Sequence, residues 1–120
     1  MSDIYKVLTE EEWHAATSCG QIITNLDEDD GFIHFSTSKQ LALTLHLYFK
    51  DQKKVVLLQI DKENIKDSLV FEKTNSKGRT GTFPHLYGKL DTRDIYKKWN
   101  LERNAFELPL DVLKESENLE

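Results

Sequence analysis

The spacing of apolar positions predicts one strand at the start of the chain and most of the other strands in its second half. Residues 4–8 (IYKVL) predict the first strand, and residues 55–60 (VVLLQI) form a continuous apolar, β-branched run typical of a central strand covered on both faces. Residues 69–74 and 83–88 predict two more strands. Residues 90–101 alternate in a strand-like way, but this pattern leaves their assignment open.

Two helices are predicted in the first half of the chain, each from a capping box. In a capping box the side chain of each of two residues accepts a hydrogen bond from the backbone N–H of the other, and Thr9 and Glu12 have this spacing. The first helix is therefore predicted to begin at residue 10, and Gly20 predicts its end. Thr37 and Gln40 repeat the spacing and begin the second helix.

The segments between these elements are rich in turn-forming residues. Residues 21–24 are a weak strand candidate, residues 25–31 (NLDEDDG) predict an acidic loop, and residues 32–35 predict a short strand. Two helices and roughly six strands, with the helices early and the strands late, predict the α+β class.

The length and composition favour one compact domain, which we expect to span residues 1–110. The chain has 120 residues, of which 38% are hydrophobic. We expect a terminal strand at residues 106–109, followed by an acidic, partly mobile tail at residues 111–120.

The charge balance narrows the classes of partner. Sixteen basic and 21 acidic side chains give a net charge of -5, which argues against a broad surface for duplex nucleic acid or an anionic membrane. The sequence contains no apolar stretch long enough to span a bilayer, and its start lacks the features of an export signal. We therefore expect a cytoplasmic monomer whose partner is a small molecule.

Metal-ligand spacing is not found in the sequence. Cys19 is the single cysteine, so a site built from several cysteines is excluded. The acidic run 27–30 lacks the alternation and the distant glutamate of a calcium loop. We expect no metal site.

Two histidine segments carry most of the functional information. In an extended segment, alternation places aromatic or hydroxyl side chains on the face that carries the histidine: Phe32 and Ser36 beside His34, and Phe83 and Tyr87 beside His85. A small-molecule cleft has this mixture of groups. The alternative is that both are core histidines whose ring nitrogens bond to the backbone or to a neighbouring hydroxyl.

These segments also carry a resemblance to a known family. Residues 4–7 (IYKV), 30–37 (DGFIHFST) and 83–88 (FPHLYG), together with Trp13 and Gln40, resemble the domain-of-unknown-function 952 family over most of the chain. That family is similar to the ADP-ribosyltransferase-like superfamily. The resemblance implies a curved, split antiparallel sheet with two helices, and a cleft that holds NAD in a folded shape.

The resemblance also implies how a nucleotide would be held. His34 would contact the nicotinamide ribose, and Phe83 or Tyr87 would stack on a ring. His85 would make a second hydrogen bond to the ligand.

The residues themselves suggest where the pyrophosphate would lie. Ser36, Thr37 and Gln40 lie at a helix N-terminus, where free N–H groups favour an anion. Arg79, in the polar loop 75–82, is a candidate phosphate contact, and the alternative is an ordinary surface charge at a hairpin tip.

Catalysis would require a carboxylate near the ribose, because positive charge develops there in the transition state. Glu72 is the candidate for this role, and His85 is the second catalytic candidate. No acidic residue lies in an unmistakable transferase motif. Two functions therefore stay open: an enzyme that processes NAD or transfers ADP-ribose, and a non-catalytic module that binds a nucleotide or peptide. A purely structural protein would leave both histidine segments unexplained.

Overall fold

The computed structural model describes residues 3–73, 79 and 81–102 of the chain. The strands are β1 Ile4–Thr9, β2 Ile33–His34, β3 Ser36–Thr37, β4 Lys54–Ile60, β5 Leu69–Lys73, β6 Thr82–Leu86 and β7 Ile95–Glu102. The helices are α1 Glu10–Cys19, α2 Asn25–Asp30, α3 Ser38–Phe49 and α4 Lys62–Ile65, with single 3₁₀ turns at Lys66–Ser68 and Thr92–Asp94.

The strands form two separate antiparallel sheets. One sheet has the order β3-β1-β4-β7 and the other has the order β2-β6-β5. The mixed α and β class with antiparallel strands is therefore confirmed. The number of helices is not, since four are found among the described residues where two were predicted.

Two apolar clusters hold these layers together. The larger cluster lies between the two sheets and α1, with members that include Leu8, Ala16, Ile33, Leu58 and Leu86. The smaller one lies on the other face of the four-stranded sheet and consists of Val7, Val55 and Leu57, against which the partly buried Leu41 and Phe49 of α3 pack. Strand β4 contributes to both clusters, as predicted from its continuous apolar run.

The two sheets separate beside β1. Strand β1 pairs with β4 over its whole length, but with β3 only through Ile4 and Tyr5. The chain crosses from one sheet to the other at Phe35, because β3 joins β1 whereas β2 pairs with β6. Among the described residues, no strand pairs with β1 on this side beyond Tyr5. The gap that results contains the candidate site.

Both predicted capping boxes are present. Glu12 N–H donates to Thr9 Oγ1 at 3.1 Å and Thr9 N–H donates to Glu12 Oε1 at 2.9 Å. Gly20 ends α1 with φ at 82°, a left-handed conformation that costs glycine little because it has no Cβ. Thr37 and Gln40 form the box of α3.

The acidic loop predicted at residues 25–31 is wrong, because residues 25–30 form helix α2. A third capping box begins this helix, with Thr24 at the N-cap and Asp27 at the third position. The many acidic residues of this segment led to the prediction of a loop, although Thr24 and Asp27 have the same capping-box spacing as the pairs that begin α1 and α3. The weak strand at residues 21–24 is reduced to one bridge, in which Gln21 pairs with Asp91.

Other predictions are adjusted or lie outside the described residues. The strand expected at residues 32–35 is two residues long, because the chain changes sheets at Phe35. The ambiguous stretch 90–101 becomes a strand from Ile95 onward. The terminal strand 106–109 and the tail 111–120 lie outside the part of the chain that the structure describes. Within that part, no helix is long and apolar enough to cross a membrane.

Candidate functional site

The two histidines meet because β2 and β6 are paired. His34 and His85 are register partners across the two strands, so their side chains lie on the same face of the small sheet. Their ring centroids are 5.3 Å apart and the rings meet edge to face. Phe32 packs against both, with centroid distances of 4.6 Å to His34 and 4.3 Å to His85. The structure thus brings together two residues that are far apart in sequence.

Both histidines line a cleft of about 540 Å³ in the gap between the two sheets. Its wall from β1 consists of Tyr5, Lys6, Val7 and Thr9, and its wall from α3 consists of Thr44, Tyr48 and Phe49. The remaining lining residues are Glu12, Thr24, Leu26, Asp30, His34, Phe35, Ser36, Arg79, Phe83 and His85. Aromatic rings, two imidazoles and charges of both signs therefore share one concavity, as in small-molecule sites.

Two carboxylates from α2 hold the His34 ring. Its Nδ1 lies 2.8 Å from Asp27 Oδ1, and its Nε2 lies 2.9 Å from Asp30 Oδ2. An ionised carboxylate only accepts hydrogen bonds, so the ring donates from both nitrogens when both contacts form. The backbone N–H of His34 donates to Asp27 as well, at 3.0 Å. His34 is therefore strongly anchored to α2.

Asp27, which bonds to His34, also forms a buried ion pair with Lys6. Lys6 Nζ lies 2.8 Å from Asp27 Oδ2 and donates to the carbonyl of His34 at 2.9 Å. Burial alone would raise the pKa of Asp27, but the hydrogen bond from His34, the Lys6 charge and the Thr24 N–H together hold that pKa well below its usual range. Burial lowers the pKa of Lys6, and Asp27 offsets part of that effect. The network links β1, α2 and β2 at the gap.

His85 has a different environment. Its Nδ1 lies 2.8 Å from Glu72 Oε1 on the neighbouring strand β5, and the Tyr87 hydroxyl donates a short hydrogen bond to the same oxygen. Burial lowers the pKa of His85, although its hydrogen bond to Glu72 opposes this. Hydrogen bonds from Tyr87 and His85 lower the pKa of Glu72, and the bond to Glu72 raises that of Tyr87. Both shifts reflect a carboxylate that is stabilised as an anion.

Arg79 forms part of the wall of the cleft. Its Nη1 donates to Thr44 Oγ1 at 2.9 Å, and its Nη2 donates to the carbonyl of Gln40 at 3.1 Å. The guanidinium carbon also lies 4.4 Å from the centre of the Phe83 ring, in a cation–π arrangement. These contacts place a fixed positive charge beside an aromatic face in the cleft.

Five of the nine predicted site residues line the cleft: His34, Ser36, Arg79, Phe83 and His85. Glu72, Tyr87, Thr37 and Gln40 are not among its lining residues. Glu72 lies behind His85 instead, in hydrogen bonds to that ring and to Tyr87.

The expected anion site at the start of α3 is engaged by the protein itself. Gln40 Oε1 accepts from Thr37 N–H at 3.0 Å, and Gln40 Nε2 donates to the carbonyl of Thr82 at 2.8 Å. Ser36 Oγ lies 2.7 Å from Thr44 Oγ1. Gln40 therefore ties α3 to β6 and occupies the backbone N–H of Thr37.

The sequence interpretation missed Lys6, Asp27 and Asp30. A signal for Lys6 was available, since it occupies an inward position between Ile4 and Leu8 of β1, where a lysine requires a buried partner. No such signal distinguished Asp27 and Asp30 from their acidic neighbours, because only the fold shows which of them face His34. Among the described residues, no group of three or more His, Cys, Asp or Glu side chains is arranged to hold a metal ion.

Comparison with known proteins gives a family and solved structures of a similar protein. The family model described as a protein of unknown function (DUF952) matches residues 7–98. The crystal structure of protein CC0527 from Caulobacter crescentus is 32% identical, covers 93% of this chain and 98% of that one, and has a TM-score of 0.79. The solution NMR structure of CC0527 is 33% identical over 88% of this chain and 89% of that one, with a TM-score of 0.74. No curated protein matches the chain.

Proposed function

Because this chain belongs to the family of proteins of unknown function called DUF952, we propose that its cleft has the role that the family's resemblance to ADP-ribosyltransferase-like proteins implies. The cleft binds NAD or an ADP-ribose derivative. The observation that carries the proposal is the convergence of His34 and His85 with Arg79 and Phe83 on one concavity of about 540 Å³.

The size and the chemistry of the cleft support a nucleotide. Its volume lies within the range of ~300–1,000 Å³ that is usual for small-molecule sites. The guanidinium of Arg79 carries paired N–H donors that suit phosphate oxygens. Its hydrogen bonds to Thr44 and Gln40 orient it before a ligand binds. The Phe83 and Tyr48 rings line the same space and offer surfaces for base stacking.

The position of the cleft supports the same ligand. It lies where two antiparallel sheets separate, as the resemblance to the ADP-ribosyltransferase-like superfamily leads us to expect. His34 is held rigidly by Asp27 and Asp30, so the position of its ring in the cleft wall is fixed before a ligand binds and carries no ordering cost.

A non-catalytic binding module is the second candidate, and one observation favours it. Glu72, the carboxylate proposed to face the ribose, does not line the cleft, because its oxygen bonds to His85 and Tyr87. Glu72 therefore does not fill the role that a transferase would require of it, which favours binding without transfer of ADP-ribose.

Binding is tested by titrating NAD and ADP-ribose into ¹⁵N-labelled protein while the amide shifts are followed. We expect shifts around the cleft, and we expect His34→Ala and Arg79→Ala to weaken binding. His14→Ala is the matched control, since His14 is exposed on α1 and does not line the cleft. Shifts confined to residues remote from the cleft, or equal losses in the His14 variant, would contradict the proposal.

Release of nicotinamide separates the enzyme from the module. The complex with NAD is incubated for hours, and free nicotinamide is measured by chromatography. Release above the protein-free rate indicates an enzyme, and release that Glu72→Gln leaves unchanged removes Glu72 from the reaction. Binding without release supports the module.

A further inference from the structure

We infer that His85 is the proton acceptor of the cleft, positioned by Glu72 and Tyr87, whereas His34 is anchored to α2 through both of its ring nitrogens. The site then suits reactions in which a water or a hydroxyl loses its proton as its oxygen attacks the ligand. The identity of that ligand rests on the proposed function, but the state of the two rings does not.

The hydrogen bonds of His85 determine which of its nitrogens is available. Glu72 accepts from the Tyr87 hydroxyl and lies 2.8 Å from His85 Nδ1. A carboxylate that accepts in this way requires the proton of the imidazole to be on Nδ1. In the neutral ring Nε2 then carries the lone pair, which is the arrangement by which a carboxylate orients a histidine base.

The position of the ring directs this lone pair to the ligand space. His85 lines the cleft, whereas Glu72, which bonds to Nδ1, does not. The edge of the ring that remains for the cleft is therefore the one that carries Nε2. Among the described residues, no hydrogen-bond partner occupies Nε2. A water or hydroxyl of the ligand would find an acceptor there.

The surroundings of His85 favour its neutral form at neutral pH. The ring is 4% exposed, and burial lowers its pKa. Three titratable groups face it: Glu72 from β5, His34 from β2 and Asp30 from α2. Tyr87 acts on it only through its hydrogen bond to Glu72. The charge of His34 opposes protonation, and the two carboxylates favour it.

His34 lacks this capacity because both of its ring nitrogens donate to carboxylates. Nδ1 bonds to Asp27 and Nε2 bonds to Asp30. In that arrangement both ring nitrogens are engaged by the protein, and neither is directed to a ligand. The two histidines therefore have different chemical roles, although their sequence contexts look alike.

With NAD as the ligand and water as the nucleophile, the step balances. The water oxygen forms a bond to the anomeric carbon of the ribose, and the bond from that carbon to the nicotinamide nitrogen breaks. The electron pair of the broken bond stays on nicotinamide and neutralises its positive charge. The proton of the attacking water passes to His85 Nε2 and then to solvent. The products are ADP-ribose, nicotinamide and one proton.

The state of the rings is measured first, without any ligand. Long-range ¹H–¹⁵N spectra at pH 7 report which ring nitrogens are protonated, and diethyl pyrocarbonate with mass spectrometry reports which imidazole has a reactive lone pair. We expect His85 as the Nδ1–H tautomer, acylated faster than His34. A doubly protonated His85, the opposite tautomer, or faster acylation of His34 would overturn the inference.

Two variants test the positioning residues. Glu72→Gln removes the anion that bonds to Nδ1, so we expect a lower pKa for His85 and a mixture of its tautomers. Tyr87→Phe removes a donor that competes for Glu72, so we expect a higher pKa for His85. Unchanged titration of His85 in both variants would overturn the role of the pair, even if both variants were less stable.

Turnover separates this inference from the proposed function. If NAD is cleaved, we expect His85→Ala to lower the rate of nicotinamide release at saturating NAD about 100-fold or more, as for loss of a general base, and to weaken NAD binding by a smaller factor. Binding and release that both persist in this variant would overturn the proton-acceptor role but leave the proposed function intact. If NAD does not bind, the proposed function fails, and the spectra of the ligand-free protein still decide the state of His85.

Discussion

Replacement of Asp27 by alanine tests whether the buried network holds the gap between the sheets together. Asp27 is 1% exposed and Lys6 is 4% exposed, with 2.8 Å between their charged atoms. At an effective dielectric constant of about 20, unit charges at that distance attract by roughly 6 kcal/mol, and the desolvation of both ions offsets part of this. Asp27 also accepts from His34 and from the N–H of Thr24.

The expected cost of Asp27→Ala is about 3–5 kcal/mol, because the variant leaves the Lys6 ammonium buried without its counter-ion. This is a large part of the ~5–15 kcal/mol by which a typical domain is stable. The measurement is urea unfolding at pH 7, followed by circular dichroism and by the fluorescence of Trp13 and Trp99.

Two further variants make the result specific. Asp29→Ala removes an exposed acid from the same helix and should change the free energy of unfolding by no more than about 0.5 kcal/mol. Asp27→Asn keeps an acceptor but removes the charge, so its cost should lie between the other two. A decrease in the free energy of unfolding of less than about 1 kcal/mol for Asp27→Ala would refute the reasoning, because removing one member of a buried ion pair leaves the other charge buried and unpaired.

Two other outcomes follow from the same contacts. The free energy of unfolding should fall on acidification, first below pH 6.5 and again below pH 3.8. The folded protein holds the pKa of His85 below 6.5 and that of Asp27 below 3.8, so the unfolded chain takes up each proton first. Urea midpoints that stay constant between pH 8 and pH 3 would contradict this. Gln40→Leu should cost about 1–3 kcal/mol because it leaves Thr37 N–H and the Thr82 carbonyl without their partner, whereas Lys39→Leu, exposed one residue earlier, should not reproduce that loss in thermal unfolding.

Local sequence determined the elements whose signals lie within a few residues. The capping boxes at Thr9 and Thr37 located two helix starts, and the apolar run 55–60 located the central strand. These signals work because the backbone N–H groups of a helix start must be satisfied nearby. The same spacing at Thr24 and Asp27 was obscured by the acidic composition around it.

The pattern of the histidine segments predicted a site, and five of the predicted residues line one cleft. The roles predicted for Glu72 and Gln40 depend on contacts with residues that are distant in sequence, and the local sequence pattern does not specify those contacts. Glu72 lies next to His85 because β5 pairs with β6, and Gln40 reaches Thr82 across 42 residues.

The sequence by itself determined that this chain is a mixed α and β protein with two histidines in strand segments rich in aromatic and hydroxyl groups. Only the tertiary structure decided that the histidines differ, since strand register places them side by side while α2 supplies carboxylates to His34 and β5 supplies one to His85. The physical reason is that the proton on an imidazole is governed by the groups within hydrogen-bond distance. Those groups come from elements whose spatial neighbours are set by packing rather than by local pattern.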